Sequence, residues 1–392
     1  MPGPLEGMRV LDLTRLVSGG LFGMLLADAG AEVAKVEVPG RGDTLRAWSP
    51  AWWKVYGRGK KSVTLDLGRP EGQEVLRALA ARADLLAENF FAGKLESWGL
   101  SPEALLALNP RLVILRISGW GQAGPYRERP GFGTMVEGMT GFAAMNGFPD
   151  QPPLLPPFPL ADMTAALYGV AAAMFALYKR DARGGGAGQV IDLALHEPLF
   201  SILGPLAADF LLHGQKRPRT GNRSLTSAPR NCYPTRDGRW VAVSASTQPM
   251  AERIFRAIGR ADLIADPRFA DNAARLAHVE ALDALLAGEI AARTCEENLR
   301  RFEAGGVTAS PIYDIEDVLA DPHFQARGLI RHVPDPDFGS VPMHGAFPRM
   351  SATPLDIRWA GPALGAHTEE VLAAWAGLPP ERISQLRRLK VV

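Results

Sequence analysis

The amino-acid sequence predicts an α/β fold, a doubly wound and mostly parallel sheet joined to a smaller α+β domain. Over the first third of the chain, short β-type runs alternate with helical runs at the spacing of βαβ units. After about residue 215 the texture changes to a hairpin followed by short amphipathic helices. Length agrees: 392 residues exceed what a single core usually fills, so two domains are expected.

"MRVLDLT" (8–14) is the first strand, and a glycine-bearing turn leads from it into the helical "LFGMLLADAG". "AEVAKVEV" (31–38) is the second strand. A helix over "PEGQEVLRALAARA" (70–83) precedes the strand-like "DLLAENF" (84–90). "SPEALLAL" (101–108), with Ser101 as its N-cap, precedes "RLVILRIS" (111–118). The connection from Pro39 to Arg69 is too long for a turn. It holds Trp48, Trp52, Trp53 and the basic "GRGKK", which marks it as a functional excursion. The proline-dense "GFPDQPPLLPPFPL" (147–160) is an ordered loop or linker. The next helix, 161–180, runs into "KRDARGGGAGQ", whose basic residues and glycines suit a C-terminus. "VIDLALHEPLFSIL" is a strand leading into a helix, and "KRPRTGNRS" is linker-like. "YPTRDGRWVAVSA" is a hairpin turning at Asp-Gly. Short amphipathic helices fill 248–330; a Pro- and Gly-rich stretch, 333–365, leads to the last helix, "HTEEVLAAWAGL".

Composition excludes several function classes. The chain is 47% hydrophobic and 22% charged, the balance of a globular protein with a substantial core. Lys+Arg 43 against Asp+Glu 42 leaves +1, so no global charge draws it to nucleic acid or an anionic membrane. Cys232 and Cys295 stand far apart, without disulfide or zinc-ligand spacing, and fit a reducing cytoplasm. The N-terminus lacks the signature of a secretion signal, and no uninterrupted apolar run is long enough to span a membrane.

The turn "SGGLFG" (18–23) nearly satisfies a dinucleotide fingerprint, with Ser18 in place of the first glycine and Glu37 at the end of the second strand. That opens a nucleotide-dependent oxidoreductase as an alternative. The preferred explanation is that these glycines let a helix pack close to a strand. The run "GRGKKSVTLDL" (57–67) brings Arg58, Lys60 and Lys61 together, with Arg41, Arg46 and Lys94 as further candidates for phosphate contacts; an ordinary solvated face is the competing explanation. No metal or triad constellation is present, and His196 and His213 are read as structural or surface groups.

Asp162 is the acid that stands out. It follows Pro159 at the first turn of a helix, where the macrodipole favours an anion, and its neighbours are apolar or small. Most such residues are only caps. Yet Ala165, Ala166 and Gly169, at i+3, i+4 and i+7, are expected to leave room for a ligand against the backbone. A carboxylate ionised but shielded from water is a competent nucleophile toward an activated acyl carbon.

Segments spread over the whole chain resemble one family. They include "PLEGMRVLDLTRLVSGG", "GAEVAKVEVPGRGD", "RGKKSVTLDLGRPEG", "ENFFAGKLESWGL", "NPRLVILRISGWGQAGPY", "LADMTAALYGV" and "DVLADPHFQARGLI". These resemble the family III CoA-transferases, a group that also contains, as a side branch, the α-methylacyl-CoA racemases. The resemblance implies that Asp162 is the nucleophile, passing through an aspartyl anhydride and an aspartyl-CoA thioester. It implies an acyl-CoA donor and a carboxylic acid acceptor, with coenzyme A as part of the substrate and no tightly bound cofactor. Val17 and Ser18 match the loop beside the thiol end of CoA; Leu65 to Gly68 match the adenine-contacting segment; Asn89 and Phe90 match the "ENF" contact. "GGGAGQ" (184–189) matches a structural turn. Val38 and Phe91 stand where arginines are frequent near the CoA phosphates, so Arg41, Lys60, Lys61 and Lys94 are the candidates to hold those phosphates. Phe132 stands where racemases carry a histidine, and Thr247 or Gln248 where they carry a glutamate. Transferase is therefore favoured over racemase, which needs two proton-transfer groups. A dicarboxylic donor such as succinyl-CoA is common in the family, and Arg116, Arg223 and Arg230 are candidates to pair its second carboxylate. The resemblance further implies a Rossmann-like large domain, 1–195 completed by 346–392. Linkers at 196–224 and 331–345 would flank a small domain, 225–330, in an interlocked cytoplasmic homodimer.

Overall fold

The computed structural model describes residues 2–182 and 186–392. Six strands, β1 (Arg9–Asp12), β2 (Glu32–Glu37), β3 (Lys60–Thr64), β4 (Leu85–Glu88), β5 (Val113–Ser118) and β6 (Val190–Ala194), form a sheet in the order β3-β2-β1-β4-β5-β6. Every pairing is parallel. The inner strands β1, β4 and β5 are largely buried on both sides and read as near-continuous apolar runs, whereas the edge strand β6 exposes Val190 and Asp192. Strand order reverses between β1 and β4, so a crevice opens beyond their carboxyl ends, where doubly wound sheets take their ligands.

Successive residues of a strand face opposite sides. Leu11 joins Leu76, Leu79, Trp375 and Leu386 on one face, whereas Val10 joins Phe22, Leu115 and Ala165 on the other. Ser101 caps the helix Pro102–Leu108 by accepting the Ala104 N–H at 3.2 Å, as its sequence predicts. The helix Leu160–Ala182 packs along the helix Leu16–Asp28. Its small residues do not leave room for a ligand. Ala165 and Ala166 are fully buried, and a Cβ on Gly169 would stand 3.2 Å from Leu115 and 3.4 Å from Phe22. Protein fills the space that was expected to be open, and close helix packing is what these residues permit. An 18-residue window of this helix reaches a mean hydropathy of 1.6, enough by length and composition to cross a membrane. Here it lies against the sheet and a neighbouring helix.

This sheet unit comprises Met1–Phe142, Leu155–Pro205 and Ala326–Val392; the second comprises Ala143–Leu154 and Leu206–Gln325. The second unit has its own core around Tyr233, Phe255, Phe269, Leu286 and Phe302. Its antiparallel sheet joins Arg230–Pro234, Trp240–Ser244 and Ala309–Pro311, with Gly238 at φ 76° in the first turn. Two expected linkers prove to be structured. Residues 196–224 contain the helices His196–Ile202 and Leu206–His213. Most of 331–345 is a hairpin, Ile330–Asp335 with Gly339–His344, which buries Val333, Val341 and Met343. Pro334 and Pro342 disguise it, because a two-stranded ribbon tolerates proline where a central strand does not. Gly184 and Gly185 of the expected turn lie outside the described residues.

Candidate active site

The site grows from the loop after β1. Asp12 ends that strand fully buried, with Lys60 Nζ at 2.9 Å from its carboxylate. Burial pushes the Asp12 carboxyl up, but Lys35 and Lys60 more than offset it and hold it below the usual range. Lys35 also donates to the Thr14 carbonyl and stands 3.0 Å from Asp43 Oδ2. These buried ions fix the start of the loop. Asn89, at the carboxyl end of β4, then clamps the next residue from both sides. Its Oδ1 accepts the Arg15 N–H at 2.8 Å, and its Nδ2 donates to the Arg15 carbonyl at 2.7 Å. Leu16 follows with φ at 62°, a left-handed conformation that costs an ordinary L-residue roughly 1–2 kcal/mol. Its N–H donates to Asp43 Oδ1 at 3.1 Å, so the bend is held by acceptors on both sides. The bend delivers Ser18, on the first turn of Leu16–Asp28, to the crevice.

There Ser18, whose Oγ accepts from Asn89 Nδ2 at 3.4 Å, lines the same cleft as the Asp162 carboxyl and favours its ionised form. Asp162 is half-buried in the first turn of Leu160–Ala182, as the sequence predicts. The helix Gly133–Met139 crosses so close that a Cβ on Gly133 would fall 2.3 Å from Asp162 Oδ2. Glu137, on the same short helix, is buried and accepts the Ala161 N–H at 3.1 Å. Among the described residues no cation pairs with either carboxylate. Burial, with the Glu137 charge second, pushes Asp162 up to about 6, against the smaller pull of its hydrogen bonds. At neutral pH the group is ionised, yet more basic than an ordinary aspartate.

Two clefts meet at this point. The first is lined by Arg15, Ser18, Asn89, Phe90, Phe91, Trp120, Arg127, Arg129, Phe132 and Asp162. The second is lined by Val38, Arg41, the segment Leu65–Gly68, Lys94 and Trp98. Arg15, Phe90 and Phe91 belong to both. The structure thus gathers Ser18, Asn89, Phe90, Phe132 and Asp162 in one cleft, and Arg41, Leu65, Gly68 and Lys94 in the adjoining one.

Other candidates are elsewhere. Val17 is buried against Leu45 and Trp53. Lys61 is held by Glu32 and, at 2.7 Å, by Glu370, and it lines neither cleft. Lys60 is consumed by Asp12, and Arg58 by Asp28 at 2.6 Å. The basic run is thus a set of internal ion pairs, neither a phosphate cradle nor a solvated face. Arg116 is taken by Glu88 and Glu96, each at 2.7 Å, and Arg223 by Asp283 at 2.7 Å; Arg230 lies on a strand of the second unit. Glu37, the acid a dinucleotide site would use, accepts from Arg46, Ser62 and the Asp43 N–H. The "SGGLFG" glycines serve packing: a Cβ would meet Thr14 at Gly19, and both Asp12 and Lys60 at Gly23. Sequence reasoning missed Arg15, Glu137, Trp120, Arg127, Arg129 and Gly133. Glu137 carried a findable signal, since "MVEGM" sets a lone acid among apolar residues as "LADMTAA" does for Asp162.

Comparison with known proteins places the chain in a family. The profile of CoA-transferase family III covers residues 5–368. The chain belongs to CoA-transferase family III. The transferase is 41% identical to the succinyl-CoA–D-citramalate CoA-transferase of Chloroflexus aurantiacus, over 100% of this chain and 98% of that protein. It is 35% identical to the succinate–glutarate CoA-transferase of Agrobacterium fabrum, over 94% and 95%. Among solved structures, a CAIB/BAIF family protein from Brucella suis superposes with a TM-score of 0.85 at 35% identity, over 95% of this chain and 99% of that one. In this transferase the residues lining the Asp162 cleft include Phe132 and no histidine. Gln248 is committed within the second unit, bonded to the Ala270 carbonyl and to Arg275.

Proposed function

We propose that the transferase moves CoA from a succinyl-type thioester to a free dicarboxylic acid, with Asp162 as covalent carrier. The observation that carries this is the placement of the Asp162 carboxylate in the cleft, in front of the buried Glu137 and with no cation paired to it among the described residues; that setting raises it to about 6. Its oxygen attacks the donor thioester carbonyl, giving a mixed anhydride and CoA thiolate. The thiolate attacks the aspartyl carbonyl, releasing the donor acid and leaving an aspartyl-CoA thioester. The acceptor carboxylate attacks that thioester, re-forming an anhydride. The thiolate then takes the new acyl group and frees Asp162. No ATP is consumed, and the cleft around Asp162 carries the apolar rings of Phe90, Phe91, Phe132 and Trp120.

In this scheme the adenosine end of CoA lies along Leu65–Gly68. Arg41 and Lys94 hold its phosphates, with Arg15 at the junction standing in for the arginines that Val38 and Phe91 replace. Asn89 serves through the loop it clamps, with Ser18 positioned against Asp162. The names of the relatives support the succinyl-type donor. A cytoplasmic homodimer agrees with two free cysteines and with the apolar surface the long helix exposes at Leu167, Phe175 and Tyr178.

Oxygen tracing tests the scheme. With an ¹⁸O-labelled acceptor acid, one label per turnover enters the Asp162 carboxylate, read as a mass shift on the peptide containing residues 159–179. Turnover without label in that peptide would overturn covalent transfer through Asp162. A second measurement isolates Glu137. In Glu137→Gln the amide oxygen still accepts the Ala161 N–H, but the neighbouring charge is gone. The acid limb of kcat/KM, expected near pH 6, therefore moves to lower pH. An unmoved limb would mean that Glu137 does not act on Asp162.

A further inference from the structure

The loop after β5 closes on itself. A Cβ on Gly119 would stand 2.9 Å from the Gly131 Cα, so these backbones touch at the loop's neck. Hydrogen bonds pin the rest: Gly121 N–H to Ser118 Oγ at 2.9 Å, Gln122 N–H to the Asp192 carboxylate at 2.9 Å, and Trp120 Nε1–H to the Pro130 carbonyl at 3.3 Å. Tyr126 packs on Trp120, ring centres 5.9 Å apart at 77°, and the Arg129 guanidinium lies 3.8 Å above the Tyr126 ring. The Arg129 N–H also donates to the Tyr126 carbonyl at 2.8 Å. Arg129 is thus held on a pinned loop, and among the described residues no carboxylate pairs with it. Its neighbour Arg127, by contrast, is occupied by Glu128 at 3.0 Å.

Position decides what Arg129 is for. It lines the Asp162 cleft and not the adjoining cleft that would hold the nucleotide. In the Asp162 scheme, an acyl group bonded to Asp162 shares its cleft with Arg129. The geometry points to Arg129 as the receptor for the distal carboxylate of a dicarboxylic substrate, the residue that selects dicarboxylates over monocarboxylates. A guanidinium suits this role, because its planar fork binds a carboxylate at two points and stacking on Tyr126 orders it beforehand. The inference rests on Asp162 being the acyl-bearing group.

The test compares succinyl-CoA with butyryl-CoA, whose chains have equal length and differ at the far end. Wild-type protein should favour succinyl-CoA. Arg129→Met keeps the apolar stem on Tyr126 and should lower kcat/KM for succinyl-CoA about 10- to 100-fold, mostly through KM, leaving butyryl-CoA and the affinity for free CoA unchanged. Arg129→Lys should recover part of the loss. Equal losses with both thioesters, or weaker binding of free CoA by calorimetry, would make Arg129 a CoA contact and overturn the assignment. So would a wild-type enzyme indifferent to the distal carboxylate. Failure of the Asp162 scheme shows separately, as missing ¹⁸O in its peptide whatever Arg129 does. Far-ultraviolet circular dichroism of each variant distinguishes lost recognition from lost fold.

Discussion

Asp162→Asn should lower kcat by at least about 10⁴-fold, because an amide cannot open an anhydride route and the covalent path has no substitute in the cleft. The same substitution should make the protein more stable. Asp162 titrates near 6 in the folded chain against 3.8 as its ordinary value. A carboxyl raised on folding gives stability that is fully present below the unfolded value and lost as pH rises through the folded one. Two pH units correspond to about 3 kcal/mol, the largest cost the native ionised group would impose above pH 6. Denaturant unfolding of both proteins should therefore agree at pH 4 and separate at pH 8, the asparagine form being the more resistant. Equal midpoints at pH 8 would show that the carboxylate is well solvated, and a kcat within tenfold of wild type would remove it from the chemistry.

Gly133→Ala should be nearly silent in stability and severe in rate. Gly133 begins a helix, and alanine is favoured over glycine in a helix by up to about 1 kcal/mol, so the backbone has no objection. The added methyl, however, would sit 2.3 Å from Asp162 Oδ2, well inside contact distance. The carboxylate must move by about 1 Å, a displacement that costs a nucleophile on the order of 10²-fold in kcat. Steady-state kinetics beside a thermal melt separates the two effects. A wild-type rate with an intact melt would mean that Asp162 works from another rotamer.

Sequence and structure agree where the signal is local. The alternating runs give the strands, Pro102 with Ser101 gives a capped helix, and Asp162 stands out because its neighbours carry no charge. What sequence hides is the pairing of charges distant along the chain. Lys60 and Lys61 sit in a conspicuously basic run, yet their partners, Asp12, Glu32 and Glu370, are remote in sequence, and pairing turns apparent phosphate ligands into internal ties. The same blindness runs the other way at Arg129, one of two arginines in "YRERPG", which becomes distinctive only once Gly119 and Gly131 meet. Ala165, Ala166 and Gly169 show a third kind of ambiguity: small residues signal close approach, but not whether a ligand or another helix does the approaching.

That tight crossing has a consequence for how this enzyme can vary. Ser18 and Asp162 come from segments far apart in the chain, and the distance between them is set by how deeply Gly169, two turns further on, lets its helix settle over Phe22 and Leu115. Enlarging a residue there would tilt the rod that carries the nucleophile without altering any group that touches substrate. Natural variation in turnover among such chains can therefore originate along a hydrophobic ridge that no inspection of the catalytic groups would reveal.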